Sequence, residues 1–192
     1  MSHHLCLKIA LAALAALMGT ASPAMAQDYA VDGAHAGISF KIAHMGLSWI
    51  QGRFDEFSGQ FTIDAANPEK TSFKLDINPA SIDTNNQKRD EHLRSPDFLN
   101  VRQFPAMKFK STSVRPINGG YSVTGDFTMH GVTKPVTFEL LGGRTQEMPK
   151  GVQRTGFSSE FALKRADFGV GQVTPMLGEK IYATVSFEGT RK

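Results

Sequence analysis

Alternation of apolar and polar residues with period two runs through most of this chain and limits it to a β architecture. In AGISFKIAH, Ile38, Phe40, Ile42 and His44 share one face against Gly37, Ser39, Lys41 and Ala43. In FSGQFTID, Phe57, Gly59, Phe61 and Ile63 oppose Ser58, Gln60, Thr62 and Asp64. Phe73, Leu75 and Ile77 oppose Lys74, Asp76 and Asn78, and Met107 and Phe109 oppose Lys108 and Lys110. The pattern continues with Tyr121, Val123, Gly125, Phe127 and Met129, then Val136, Phe138 and Leu140. It ends with Phe157, Ser159, Phe161 and Leu163, and with Ile181, Ala183, Val185 and Phe187.

These segments predict about eight antiparallel strands, each apolar on one side only. Turn residues separate them at Asn67-Pro68, Asn118-Gly119-Gly120, His130-Gly131 and Gly142-Gly143. Strands of this kind close up as a sandwich or as a barrel. A barrel leaves no exposed edge, and an interior of eight strands is just wide enough for side chains or one elongated ligand. All 14 phenylalanines lie after residue 26, beside one Trp and three Tyr. Phenylalanine brings apolar area without a polar handle. The inner face is therefore either a dry core or an apolar cavity, and composition leaves both open.

One stretch breaks the alternation. NQKRDEHLRSPDFLNVRQFP, residues 86–105, packs Lys88, Arg89, Asp90, Glu91, His92 and Arg94 together. Thr84 to Gln87 has capping-box spacing, and Asp90 and Arg94 are four apart in the favourable order for a helical pair. Ser95-Pro96 reads as an N-cap followed by proline at the first helical position. Two short helices, about 86–94 and 96–101, are expected. Leu93, Phe98, Leu99 and Val101 are their apolar residues, and Asp90 and Arg94 face water.

The first 26 residues read as a cleaved signal peptide. Lys8 is followed by the apolar run Ile9–Met18 and by Ala24-Met25-Ala26. Export to the periplasm follows, with residues 27–192 as one domain. Cys6 is the single cysteine and lies within that segment, so the remainder has neither disulfide nor thiolate chemistry. Net charge is +3, of which Lys8 contributes one unit. Basic residues are dispersed and form no tract with interleaved aromatics, which points away from nucleic acid. No other segment is apolar enough to span a membrane. The sequence sets no oligomeric state, and a homodimer is compatible with it.

Catalytic motifs are missing. His35, His44, His92 and His130 have no metal-motif spacing, and there is no G-x-S-x-G and no phosphate loop before a helix. His44 lies on the apolar face of its strand, where a core or rim histidine is the ordinary reading. His35 sits in a loop beside Asp32, and His130 precedes Gly131 in a hairpin turn. No catalytic residue, metal ligand or cofactor is assigned.

The strings YAVDGAHAGISFKIAHMGLSWIQGRFDEFSGQF, NNQKRDEHLRSPDFLNVRQFPAMKFKS, GDFTMHGVTKPVTFEL and KRADFGVG closely resemble the YceI family. The resemblance runs from about Tyr29 to Glu188. It implies an all-β, eight-stranded antiparallel lipocalin-like barrel with a short helical insertion. It also implies an exported protein that binds polyisoprenoids. The chain departs from the family pattern mildly, with Ala36 after His35 and Leu99 after Phe98.

The expected function is that of a periplasmic carrier for a long isoprenoid lipid, a quinone or a polyprenyl chain. Its expected tunnel residues are Phe40, Ile42, Phe61, Ile63, Phe73, Leu75, Phe109, Phe127, Phe138, Phe161 and Val185. Leu93 and Phe98 are expected to face the tail, and His44, Arg89 and His92 the headgroup. One rival is an enzyme acting on an isoprenoid or small apolar substrate through His44, His92 and Asp90. Another is an interaction protein whose barrel is a filled core.

Overall fold

The computed structural model describes residues 26–172 and 174–191. The segment read as a signal peptide, apart from Ala26, and Cys6 within it lie outside the described residues. Among the described residues, ten strands form one antiparallel sheet: β1 (Gln27–His44), β2 (Ser48–Phe54), β3 (Phe57–Ile63), β4 (Ser72–Ile77), β5 (Ile82–Asp83), β6 (Met107–Ile117), β7 (Gly120–Met129), β8 (Val132–Met148), β9 (Val152–Lys164) and β10 (Leu177–Arg191). One α-helix, α1 (Gln87–Arg94), interrupts the strand order.

The sheet closes on β1. One edge of β1 pairs with β10 from Ala30 to His44, Phe40 opposite Ala183, while on the other edge its first residues pair with β3, Tyr29 opposite Phe61. The closed ring runs β1-β3-β4-β6-β7-β8-β9-β10 and back to β1, an eight-stranded antiparallel barrel. Strands β2 and β5 branch from it: β2 pairs along the free side of β1, and β5 adds two residues to β2. Between the two halves of β1 the register with β10 shifts from Val31 to Ala36. There the Asp32 carboxylate accepts the Ala34 N–H at 3.1 Å and meets the His35 Nδ1 at 2.9 Å. Excess residues leave the ladder and the strand bends, and across this bend the edge away from β10 passes from β3 to β2.

Inward positions alternate as the sequence pattern requires, and they divide into two regions. Tyr29, Phe61, Phe73, Val123, Leu140 and Phe157 fill one end of the barrel. Phe61 stacks on Tyr29 at 5.0 Å and on Phe73 at 5.8 Å, and meets Phe157 edge-on at 5.7 Å. The other region is built on Ile38, Ile77, Ile82, Leu99, Met107, Met129, Phe168 and Val170. Glycines on the inner face make room for rings. A Cβ on Gly125 would sit 2.5 Å from the Phe109 ring, and one on Gly52 would sit 2.5 Å from the Phe40 ring.

Several sequence expectations need correction. β1 begins at Gln27, ten residues before the alternation starts at Gly37, and β2 and β5 were not anticipated at all. Gly142-Gly143 is no turn: β8 continues to Met148, and the chain reverses at Pro149–Gly151. Gly142 has φ of 125° and Gly143 has φ of 90°, and the register with β9 shifts just after them. Glycine tolerates this backbone, so the pair makes a bulge inside a long strand.

The expected pair of helices is one helix followed by turns. Asn86, not Thr84, caps α1, its side chain accepting the Arg89 N–H at 3.0 Å. After Ser95 the Phe98 N–H bonds back to Ser95 and the Leu99 N–H to Leu93, and Asn100 takes φ of 44°. A left-handed residue three places beyond Asp97 ends any helix there. No helix among the described residues is long and apolar enough to cross a membrane.

Candidate functional site

The open end of the barrel holds an apolar cavity of about 540 Å³. That is within the ordinary range for a small-molecule pocket. Its floor is aromatic: Phe61, Phe73, Phe109, Phe138 and Phe187. Phe138 stacks on Phe161 at 4.7 Å and tilts against Phe109 at 5.2 Å, so neighbouring strands present a continuous ring surface. The wall carries Phe40, Ile42, Leu75, Phe127, Phe161 and Val185. At the mouth stand His44, Arg89, His92, Leu93 and Phe98.

The structure thus brings most of the sequence-predicted residues to one cavity. Ile63 is the exception. It packs beside the filled aromatic end and does not line the cavity. Period two places Ile63 on the correct face but gives no depth along the strand, and Ile63 lies at the β3 end opposite Gln27, toward the closed end. Phe61 contributes to the floor while belonging mainly to the packed cluster.

Residues that the sequence did not single out complete the wall. Ile38, Val136, Leu163 and Ile181 share faces with expected residues, so the same periodicity contains them. Ile50 and Phe54 come from β2, whose own alternation in SWIQGRF is legible once the strand is known. Met176 and Leu177 come from the segment before β10.

Arg165 gave no signal. It follows β9, is 2% exposed and borders the cavity. Its guanidinium donates to the carbonyls of Gly178 at 2.9 Å, Val170 at 3.1 Å and Gln172 at 2.8 Å. No carboxylate among the described residues pairs with it. A buried guanidinium costs free energy unless its donors are satisfied, and here backbone carbonyls satisfy them. Arg165 thereby ties Val170, Gln172 and Gly178 together at the mouth.

The charged stretch is organised differently from its sequence reading. Asp90 is 6% exposed, not solvated, and its Oδ1 accepts the N–H and the hydroxyl of Thr84. Arg94 does not pair with Asp90. It donates to the carbonyls of Ala80 at 2.7 Å and Ile82 at 2.6 Å, anchoring α1 to the segment before it. Arg89 donates to the hydroxyl and carbonyl of Thr84 at 2.8 Å and 2.7 Å. Helical spacing identified a favourable pair, but the orphan carbonyls around β5 claimed the arginine. Glu91 and Lys88 remain exposed.

His92 stays exposed, meets Asp97 at 3.1 Å and stands edge-on to Phe98 at 4.9 Å. His130 has φ of 52° in the β7–β8 turn, and its Nδ1 lies 3.3 Å from the Phe168 carbonyl. Among the described residues no group of three or more His, Cys, Asp or Glu is placed to hold a metal ion.

A closed antiparallel barrel, plugged by aromatics at one end and hollow and apolar at the other, defines a lipocalin-like binding architecture. The chain belongs to the YceI-like domain family, whose profile matches residues 29–189. It is 44% identical over 192 residues to a UPF0312 protein of Pseudomonas paraeruginosa, covering 97% of this chain and 100% of that one. It is 41% identical over 180 residues to Protein YceI of Escherichia coli O157:H7, covering 93% and 94%. Among solved structures, it superposes on a YCEI protein of Campylobacter jejuni with a TM-score of 0.71 and 29% identity, covering 78% and 90%. Burkholderia cenocepacia BcnA gives a TM-score of 0.75 at 22% identity, covering 82% and 98%. A polyisoprenoid binding domain from Saccharophagus degradans gives 0.62 at 16%, covering 85% and 98%. The last two likenesses concern the fold.

Proposed function

We propose that this protein is a periplasmic carrier of a long isoprenoid lipid, a quinone or a polyprenyl chain, reached by export through cleavage after Ala26. The observation that carries the reading is the one-ended apolar cavity with its aromatic floor. A polyprenyl tail is a row of apolar branched units, and each Å² of it removed from water contributes roughly 25 cal/mol. A cavity closed at one end accepts such a tail end-first and leaves the headgroup at the mouth, near His44, Arg89 and His92. Family membership supports a binding role, as does the Saccharophagus domain that shares the fold and is described as polyisoprenoid binding. In the rival enzyme reading, His44, His92 and Asp90 act together. Asp90 is instead engaged by Thr84, and His92 meets Asp97.

Native mass spectrometry of protein purified from the periplasm tests this reading. An added mass that extraction identifies as an isoprenoid lipid is the expected result, with Gln27 as the first residue. Protein that carries no lipid, or that turns over an isoprenoid, would overturn it. Leu93→Asp should reduce retention strongly, because it sets a charge against the apolar wall, whereas Lys88→Asp on the exposed side of α1 should not.

A further inference from the structure

We infer that the rim of the barrel mouth is a docking surface for an anionic lipid bilayer. The tip of the β1–β2 hairpin carries Met45 and Leu47, 51% and 81% exposed. The segment before β10 adds Met176, 56% exposed. The Met45 N–H donates to the Met176 carbonyl at 2.8 Å, which holds these separate segments side by side. Single exposed apolar residues are ordinary on a protein surface, but a contiguous cluster is not.

What lies behind the tip indicates what covers it. On the outer wall Trp49 and Tyr182 meet edge-on at 5.4 Å, both substantially exposed. The Lys41 ammonium stands 5.4 Å and 6.0 Å from their rings. Lys164 and Lys180 face each other across β9 and β10, and neither they nor Lys41 makes an ion pair among the described residues. Glu179, and Glu160 on the same outer face as Lys164, are the exposed acidic neighbours at this place. An apolar tip backed by amphipathic aromatics interleaved with lysines, Lys41 directly opposite Tyr182 and Lys180 on its tip side, suits a bilayer boundary, where acyl chains give way to the interface and to anionic headgroups. A second copy would bring the same lysines face to face in a two-fold contact, so the charges favour a lipid partner over self-association. The rim is also continuous with the cavity, since Met176, Leu177 and Ile50 line it. A docked protein would receive or release a tail without exposing it to water. That purpose rests on the carrier reading, whereas the surface itself does not.

Vesicle co-sedimentation of the purified protein tests the inference. Vesicles of phosphatidylethanolamine with phosphatidylglycerol should bind it, and vesicles of phosphatidylcholine alone should bind it less. Leu47→Glu should weaken binding about tenfold or more, given the apolar area of one leucine. Lys41→Gln with Lys180→Gln should weaken it several-fold and flatten its salt dependence, as expected for exposed charges. All three positions lie outside the cavity, so lipid content by native mass spectrometry should stay unchanged. Binding by protein emptied of lipid would uphold docking even if no isoprenoid were ever found. No binding to anionic vesicles, or equal binding by Leu47→Glu, would overturn it. So would a dimer that Leu47→Glu dissociates, because the rim would then be an interface between copies.

Discussion

Two buried or half-enclosed carboxylates show how single residues set local structure here. Asp90 receives both polar hydrogens of Thr84, a residue that is itself buried. Asp90→Ala leaves the Thr84 N–H without its acceptor and should cost about 1–3 kcal/mol. Asp90→Asn keeps an acceptor and should cost less. Urea denaturation of both variants checks the ranking, and wild-type stability for Asp90→Ala would mean that water replaces the carboxylate. Asp64 accepts the backbone N–H groups of Asn67 at 2.8 Å and Ala66 at 3.1 Å. The Asn67 N–H, supported by its side-chain amide, the Ala66 N–H and Lys70, holds the carboxyl below its ordinary value of 3.8. A carboxyl lowered in the folded state binds fewer protons than in the unfolded state. Its contribution is therefore complete above the ordinary value and is lost as pH falls through the folded one. The stability difference between wild type and Asp64→Ala should accordingly narrow below about pH 3.8. Denaturation at stepped pH checks this, and a difference independent of pH would contradict it.

At the scale of elements, the mouth depends on two segments pinned by arginines. Arg94 ties α1 to Ala80 and Ile82, and Arg165 ties Gln172 and Gly178 to the end of β9. Arg165→Met removes the donors for several carbonyls and should cost at least about 2 kcal/mol. In a chain of this length that lowers Tm by about 4–8 °C. Arg165→Lys should not restore it, because an ammonium lacks the planar fork that reaches Gly178 and Gln172 together. Strand β2 contributes in another way. Gly52 lies under the Phe40 ring, so Gly52→Ala must displace the ring or the Thr84 methyl. The cavity offers space for the ring to move into. The expected outcome is a modest loss of stability, about 1 kcal/mol, with a larger drop in lipid retention. Equal, large losses in both would show that the strand itself had shifted.

For the whole molecule, the question is whether the inner space is a ligand site or an imperfectly filled core. Ala183 lines the cavity between Phe40 and Phe161, its partners on the two adjacent strands. Ala183→Phe fills the space that a tail would occupy. In a close-packed core such an insertion costs typically about 1–3 kcal/mol. In a hollow barrel it should leave the Tm of the lipid-free protein unchanged or raised, and cut lipid retention severely. Thermal melts with and without extracted lipid separate the two. A marked fall in the Tm of the lipid-free protein would favour the filled core.

The alternation of Phe40, Phe61, Phe109, Phe127 and Phe161 with polar neighbours, read alone, determined a β domain with one apolar face per strand. That follows because a strand's side chains alternate by geometry, whatever surrounds it. The family resemblance added the barrel and the isoprenoid expectation. Tertiary structure decided what periodicity cannot encode. It decided closure, because β1 pairs with β3 on one edge and with β10 on the other. It decided depth, because faces alternate identically at the plugged end and the hollow end, and so Ile63 and Phe40 look alike in sequence. It also decided the partners of Asp90, Arg94 and Arg165. Those partners are backbone and hydroxyl groups of the 80–84 segment and the carbonyls of Val170, Gln172 and Gly178, and a charge pattern names no backbone atom.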